Sequence, residues 1–272
     1  MGTSHRHKAT VKGQPNWGEA SKAVSKVAVL VAELAELEAN PPENQTKRQI
    51  SILHDQKERQ IARNYHKAIG RLVNAAGGID GVSCGISRAI GHAGISVIEK
   101  FVSAVQEIIT NGLSQWLQRR GETLGGKSCH DVVEIIRQYV EAEVSGLDNT
   151  AANEAMECVL DQLEEQIDND TGEVEDEMRA ILGSVDIKDL IDLFFGMYIY
   201  SHLLQDFEEK LEYERGSQAM KKAMEEIKNK LLRDIKALGL RRDDKAIDWS
   251  KSGGNAFIRA EFNRILTYFT RQ

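Results

Sequence analysis

The prolines of this 272-residue chain are confined to its first part, at positions 15, 41 and 42. Proline removes a backbone donor and clashes with the preceding helical turn, so its absence from the rest of the chain permits long helices. Apolar residues recur there at helical spacing, whereas alternating runs of β-branched residues bounded by turns, which are typical of strands, do not occur. The sequence therefore predicts an all-α protein built as a multi-helix bundle.

Two predicted helices flank the sequence NPPEN at residues 40–44. The first runs over residues 17–39 and the second over about 46–76, and the prolines between them force a reversal. We therefore predict an N-terminal helical hairpin. The apolar residues that share one face of the first helix are Val24, Val27, Val31, Leu34 and Leu37.

The longest apolar stretch is VDIKDLIDLFFGMYIYSHLL, residues 185–204, which is apolar almost all round and predicts the central buried helix. The last predicted helix carries Ile258, Phe262 and Phe269 on one face and follows a charged linker. We expect this helix to fold back on the protein's own core, although docking in another protein's groove is the alternative. The remaining helices are predicted at residues 95–119, 129–145, 150–168, 173–182, 187–213 and 217–238.

The helical pattern divides the chain into four segments. Residues 1–16 are expected to be a flexible tail, 17–76 the hairpin, 77–240 the main helical domain, and 241–272 the linker and C-terminal amphipathic helix. The stretch GGIDGVSCGISRAIGHAG, residues 77–94, is rich in glycine, which disfavours helix interiors. It predicts either a loop or helices whose backbones approach closely.

Composition limits the function classes. No apolar run reaches the roughly 20 residues of a membrane span, and the start lacks the apolar region of a secretory signal. The chain has three widely spaced cysteines, an odd number, which argues against a framework of disulfide bonds. The cysteine content therefore indicates a reducing, cytoplasmic setting. The net charge of −7 argues against direct binding of nucleic acid. Seventeen acidic residues lie between Glu141 and Asp192, and they indicate either solvated helix faces or a docking surface for a basic partner.

The segment GETLGGKS, Gly121 to Ser128, matches the phosphate-binding pattern GxxxxGK[ST]. In a nucleotide hydrolase Lys127 would contact the β- and γ-phosphates and Ser128 would bind magnesium, but that geometry requires a strand entering the loop. The preceding residues predict an amphipathic helix instead. The alternative interpretation is a turn in which Ser128 and Asp131 form a capping box for the next helix.

No metal or catalytic pattern stands out. Cys84 with His92 and Cys129 with His130 are not at zinc-finger spacing. Nucleophile, base and acid do not converge in any recognisable spacing. The prediction is a protein without metal or cofactor, and not an enzyme.

The first residues, MGTSHRHKATVKGQPNWG, form a polar leader. Removal of the initiator Met would leave Gly2 with a free α-amine, whose ordinary pKa of about 7.7–8.0 keeps roughly a tenth of it in the nucleophilic form near pH 7. Gly2, Thr3 and Ser4 are narrow, so such a leader can enter a deep cleft. Arg6 stands where N-myristoylation requires Ser or Thr, which argues against a lipid anchor.

Five segments, taken in order, resemble the QatB family, the B components of the Qat anti-phage defence system. They are MGTS, ARNYHKAIGRLV, TLGGKSC, LDNTAANEAMECVLDQL and LIDLFFGMYIYSHLL, and the similarity runs along most of residues 1–240. Two features depart from the family's pattern: the leader is shorter, and the hairpin and the basic C-terminal helix are more elaborate.

The resemblance implies a specific role. Members present a processed N-terminal glycine to QatC, a QueC-like ATP-dependent partner, which joins a 7-deazaguanine-type nucleobase to the glycine amine. In this chain the acceptor would be Gly2, with Thr3 and Ser4 recognised by the partner. The alternatives are a helical scaffold or adaptor with a disordered tail and, from the enzyme class, a nucleotide hydrolase that uses Lys127 and Ser128.

Overall fold

The computed structural model describes residues 15–142, 146–167, 173–240, 247, 249 and 251–271. Within these ranges the chain is helical without strands, so the all-α prediction is confirmed. The helices are α1 (Pro15–Ala39), α2 (Lys47–Ala75), α3 (Gly78–Ser83), α4 (His92–Asn111), α5 (Leu113–Gln118), α6 (Cys129–Val140), α7 (Leu147–Glu164), α8 (Val174–Ser184), α9 (Ile187–Arg215), α10 (Ser217–Gly239) and α11 (Lys251–Thr270).

Helices α1 and α2 form the predicted hairpin. Thr46 accepts a hydrogen bond from the backbone of Gln49, whose side chain accepts one from Thr46 in return, and this capping box starts α2 directly after the prolines. The two helices run antiparallel, because early residues of one pair with late residues of the other. The pairs are Glu19 with Lys67 at 2.8 Å, Glu33 with Lys57 at 2.6 Å and Glu38 with His54 at 3.1 Å.

Helix α9 is the centre of the bundle, as its apolar sequence predicts. Phe194, Phe195 and Tyr198 in its middle are fully buried, and Phe195 stacks on Phe262 of α11 with the ring centroids 4.1 Å apart. Gly196 faces α10, where a Cβ atom would come within 2.6 Å of Leu232. Glycine therefore allows α9 and α10 to pack closely.

The C-terminal helix α11 folds back on the protein's own core, as expected. Ile258, Phe262 and Phe269 are each at most 1% exposed. Gly70 in α2 brings the backbone near the end of α11, where a Cβ atom would lie 3.2 Å from the Phe269 carbonyl oxygen. The helix thus fills the space between the hairpin and α4.

The prediction of a single helix over residues 95–119 is wrong. The structure has two helices there, because Gly112 adopts φ 89° and ψ 151° and ends α4. This left-handed backbone conformation is open to glycine at little cost. Ser114 of α5 and Glu175 of α8 are hydrogen bonded beside the break, which fixes the new direction of the chain.

The glycine-rich stretch contains both of the features that its sequence predicts, a loop and a close approach of helix backbones. It forms the short helix α3, then a turn over residues 84–91, and then the start of α4. Gly91 has φ 111°, and a Cβ atom there would lie 2.2 Å from the Val82 carbonyl oxygen. Gly94 packs on the ring of Tyr198.

The buried apolar side chains of α1 to α11 belong to one continuous core. The predicted segments 17–76, 77–240 and 241–272 therefore meet in that core within the described ranges, while their division into separate units stays a prediction. The predicted tail, residues 1–16, lies almost wholly outside the described residues, which include only its last two residues, at the start of α1.

A pair of glycine substitutions tests the close packing of α4 on α9. In Gly94→Ala the new Cβ atom would lie 2.6 Å from Cζ of the buried Tyr198 ring, so we expect a loss of about 1–3 kcal/mol of unfolding free energy. Gly183→Ala is the matched control, because no atom lies within 4 Å of its Cβ position and α8 should gain up to about 1 kcal/mol. Urea unfolding measures both, and equal effects would contradict the packing.

Candidate functional site

The predicted acceptor and recognition residues, Gly2, Thr3 and Ser4, lie outside the described residues. The structure nevertheless shows where the leader joins the body, since α1 begins at Pro15. The surroundings of that junction are therefore the part of the candidate site that the structure describes.

Helix α1 runs parallel to α9 near this junction. Lys210 donates a hydrogen bond to the Ser21 hydroxyl, and the Ser25 hydroxyl donates to Glu214 at 2.9 Å. From the first of these contacts to the second, each helix advances by four residues in the same direction. Four residues before the first contact, position 17 of α1 is therefore level with Asp206 of α9. The start of α1 is thus adjacent to the stretch of α9 that includes His202 and Asp206.

A cavity of about 260 Å³ opens beside the same stretch of α9. It lies between the turn before α4, the start of α7 and the middle of α9. Its walls combine charged, polar and apolar side chains, which is typical of recognition sites. The lining residues are Arg88, Ala89, Ile90, Leu147, Asp148, His202 and Asp206.

Asp148 forms the floor of this cavity and joins three helices. Its carboxylate accepts hydrogen bonds from the backbone amides of Gly91 at 3.2 Å and Ala93 at 2.7 Å, at the start of α4. It also accepts one from the Tyr198 hydroxyl and lies 3.2 Å from Nε2 of His202, both on α9. Asp148 is 5% exposed and His202 2%. An aspartate at a helix N-terminus is stabilised further by the helix dipole.

The environment of Asp148 keeps it ionised. Burial alone would raise the pKa of its carboxyl, but the hydrogen bonds from His202, Tyr198 and the Ala93 amide outweigh burial and lower the pKa below its usual value. Burial, together with the adjacent Asp148 charge, raises the pKa of Tyr198 well above its usual value, so the phenol remains a donor. A carboxylate held by four donors is a structural anion rather than a proton-transfer group.

The network of Asp148 also holds the turn over residues 84–91. Within the turn, the amides of Ile86 and Ser87 donate to the Gly81 carbonyl at 3.0 and 2.8 Å, and the His92 ring nitrogen Nδ1 lies 2.9 Å from the Gly85 carbonyl. The turn carries an exposed apolar side chain, because Ile86 is 75% exposed. It therefore presents a fixed apolar residue at the edge of the cavity.

A second buried polar cluster connects α2 with α10. Tyr65 donates a hydrogen bond to Asp234, and Nε2 of His66 lies 3.2 Å from the same carboxylate oxygen. Burial raises the pKa of Asp234 to about 6 and lowers the pKa of His66 to about 4. Both shifts favour the uncharged forms, so this cluster tends toward neutrality.

The segment Gly121–Ser128 is a turn followed by a helix cap. Ser128 accepts a hydrogen bond from the Asp131 amide at 3.2 Å, and Asp131 accepts from the Ser128 amide at 2.8 Å. The predicted capping box is thereby confirmed. Lys127 forms an ion pair with Glu122 at 3.0 Å, and the element before the turn is helix α5. Nucleotide binding through Lys127 and Ser128 stays a prediction without support from these contacts.

Other site types find no candidates in the described parts of the chain. No group of three or more His, Cys, Asp or Glu side chains there could hold a metal ion. Among the same residues, no helix combines the length and apolar character that crossing a bilayer demands.

Sequence reasoning missed the Asp148 cluster. In the sequence, Asp148 is indistinguishable from an ordinary acidic residue in the first turn of a helix. Its partners on α4 are backbone amides, which every residue except proline has, so the sequence of α4 does not indicate the contact. The available signal was Tyr198 and His202, two polar residues four apart in an apolar helix, because buried polar groups require partners.

Comparisons with known proteins give one family. A protein-family model described as "Qat anti-phage system associated protein QatB" matches residues 85–269, which is more than half of the chain. The matched range begins at the turn before α4 and includes the Asp148 cluster and the cavity. No curated protein matches the chain, and no solved structure matches it.

Two substitutions separate the cap from a nucleotide site. Ser128→Ala removes the acceptor for the Asp131 amide and should cost about 1 kcal/mol of unfolding free energy. Lys127→Ala removes only a surface ion pair and should change stability by less than about 1 kcal/mol. Urea unfolding gives both values. ATP or GTP hydrolysis by the wild type that either substitution abolishes would establish the nucleotide site instead.

The Asp234–His66 cluster predicts a pH dependence of stability. Folded Asp234 holds its proton more tightly than an unfolded aspartate, so between about pH 4 and 6 it lowers stability as the pH rises. Folded His66 holds its proton less tightly than an unfolded histidine, so over about pH 4 to 6.5 it raises stability as the pH rises.

In Asp234→Asn, only the contribution of His66 remains of these two. Stability should then rise more steeply with pH between about 4 and 6, by up to about 1 kcal/mol per pH unit. The exposed Asp161→Asn serves as the control. Urea unfolding at intervals across that range measures the slope, and a slope no steeper than that of the wild type would contradict the assignment.

Proposed function

This chain belongs to the QatB family, which is associated with the Qat anti-phage system, and we propose that within that system it is a protein substrate rather than an enzyme. Its helical body docks QatC, a QueC-like ATP-dependent partner. Its leader enters the partner's active site, where Gly2 accepts a 7-deazaguanine-type nucleobase. Thr3 and Ser4 are the residues that the partner recognises beside the acceptor.

The chemistry assigned to the leader is nucleophilic attack by an amine. An ATP-dependent partner activates a carboxyl group of the base as an acyl adenylate and releases pyrophosphate. The neutral amine of Gly2 attacks the acyl carbon, the nucleotide leaves with the bonding electron pair, and the nitrogen loses a proton to form an amide. The α-amine is suited to this step because its pKa is about 2–3 units below that of lysine.

The family match is the observation that carries the proposal, and two features of the structure are compatible with it. The leader joins the body at Pro15, at the end of α1 that the register places level with Asp206, a residue that lines the cavity. The buried carboxylate of that cavity, Asp148, is saturated by its own partners and is not arranged for catalysis.

We further propose that the protein acts in the cytoplasm. Cys84, Cys129 and Cys158 are free thiols in the structure. Burial raises the pKa of Cys129 to about 12, and it also raises that of Cys158, so both remain protonated. The arrangement fits a reducing compartment.

Intact mass spectrometry tests the acceptor. When the protein is produced together with QatC, we expect a fraction of it to lose Met1 and gain the mass of one carboxylated nucleobase less one water, and peptide fragmentation should place that mass on Gly2. Insertion of one residue before Gly2 should abolish the adduct, whereas Lys127→Ala should leave it unchanged.

Two outcomes would contradict this function. An adduct that persists after the insertion would exclude Gly2 as the acceptor. A complex with QatC that never yields an adduct would favour the scaffold alternative.

A further inference from the structure

The geometry around the leader junction points to the surface on which the partner docks. We propose that the enzyme that receives the leader binds the turn surface, defined as Ile86, Arg88 and Ala89 together with the adjoining rim of the cavity at Asp206. The partner contributes an apolar pocket for Ile86 and a carboxylate that faces Arg88. The identity of this occupant rests on the function proposed above.

The first argument is the reach of the leader. Residues 2–14 span at most about 45 Å when fully extended, at roughly 3.3–3.6 Å per residue. A substrate residue that must enter a deep cleft uses much of this length inside the enzyme. The partner must therefore bind close to the point where the leader leaves the body.

The second argument is the position of that point. The parallel register of α1 and α9 places position 17 level with Asp206, and packed helix axes lie about 8–10 Å apart. Asp206 and Arg88 line the same cavity, so the turn surface lies beside the junction. The far end of the hairpin is excluded, because the 25 residues of α1 carry it about 37 Å away and would consume most of the leader.

The third argument is the chemistry of the turn surface. Ile86 is 75% exposed, and Arg88 and Ala89 beside it are also exposed. Arginine is among the residue types enriched at the energetic centres of interfaces, and an exposed isoleucine beside a concavity offers apolar area that a partner can bury. The guanidinium favours a carboxylate on the partner through paired hydrogen bonds.

The fourth argument is rigidity. The turn is fixed by hydrogen bonds to the Gly81 carbonyl, and its end is tied to α7 because the Gly91 amide donates to Asp148. A surface that is already ordered loses little conformational entropy on binding. The buried Asp148 cluster thus has a role in recognition, since it holds Ile86 in place for the partner.

Charge and size substitutions on the full chain test the docking surface. Ile86→Glu and Arg88→Glu should each weaken binding to purified QatC about tenfold or more, because they remove the apolar anchor and reverse the charge. Ile52→Glu is the matched control: Ile52 is also a partly exposed isoleucine, but it lies toward the far end of the hairpin. The affinity of the Ile52→Glu variant for QatC should stay within about twofold of that of the wild type. Isothermal titration calorimetry gives the affinities, and urea unfolding verifies that all variants remain folded.

The amount of nucleobase on Gly2 is the second readout. When QatC is present in a limiting amount, Ile86→Glu should lower the modified fraction in proportion to its loss of affinity. Ile52→Glu should leave the modified fraction unchanged. If wild type and Ile86→Glu bind QatC equally and are modified equally, the docking surface is wrong and the acceptor function stands. If QatC binds the wild type, loses affinity for Ile86→Glu, and never modifies Gly2, the acceptor function fails and the docking surface stands.

Discussion

The carboxylate of Asp148 is the interaction on which the packing of α4, α7 and α9 at one end of this protein depends. It lies at the start of α7, binds the first amides of α4, and meets Tyr198 and His202 of α9. Three elements that are distant in sequence share one anion, so the position of each depends on the other two. The turn over residues 84–91 is the chain's approach to α4, and its place on the surface follows from the same contact. A buried charge of this kind is tolerable only because every donor around it is preorganised.

The two buried aspartates show how surroundings set charge in a single fold. Asp148 is surrounded by donors, and its pKa falls although burial acts against ionisation. Asp234 lies beside Tyr65 and His66, and burial raises its pKa to about 6. The first anchors a helix start and must remain an anion. The second lies on α10 and contacts the hairpin, where the neutral His66 beside it gives no compensating positive charge.

The sequence predicts most of the fold, because helical periodicity and proline placement are local signals. The hairpin, the buried α9 and the cap at Ser128 follow from such signals. The break at Gly112 did not, since apolar spacing continues through it and only the backbone geometry interrupts the helix. Asp148 and its partners were missed for a related reason: the contact joins side chains on two helices to backbone amides on a third. The leader residues Gly2, Thr3 and Ser4 were chosen from chemistry and resemblance, and their role stays a proposal.

The hairpin is not an appendage that could be removed at the loop before α3. Tyr65 and His66 complete the surroundings of Asp234, and Ile69 and Leu72 are buried in the core shared with α10 and α11. A chain cut at residue 77 would therefore remove the contacts of Tyr65 and His66 with the Asp234 carboxyl and would expose the aromatic end of α11 to water. Such a fragment should be prone to aggregation and poorly soluble even if its remaining helices form. A shortened version of this protein should therefore retain α1 and α2.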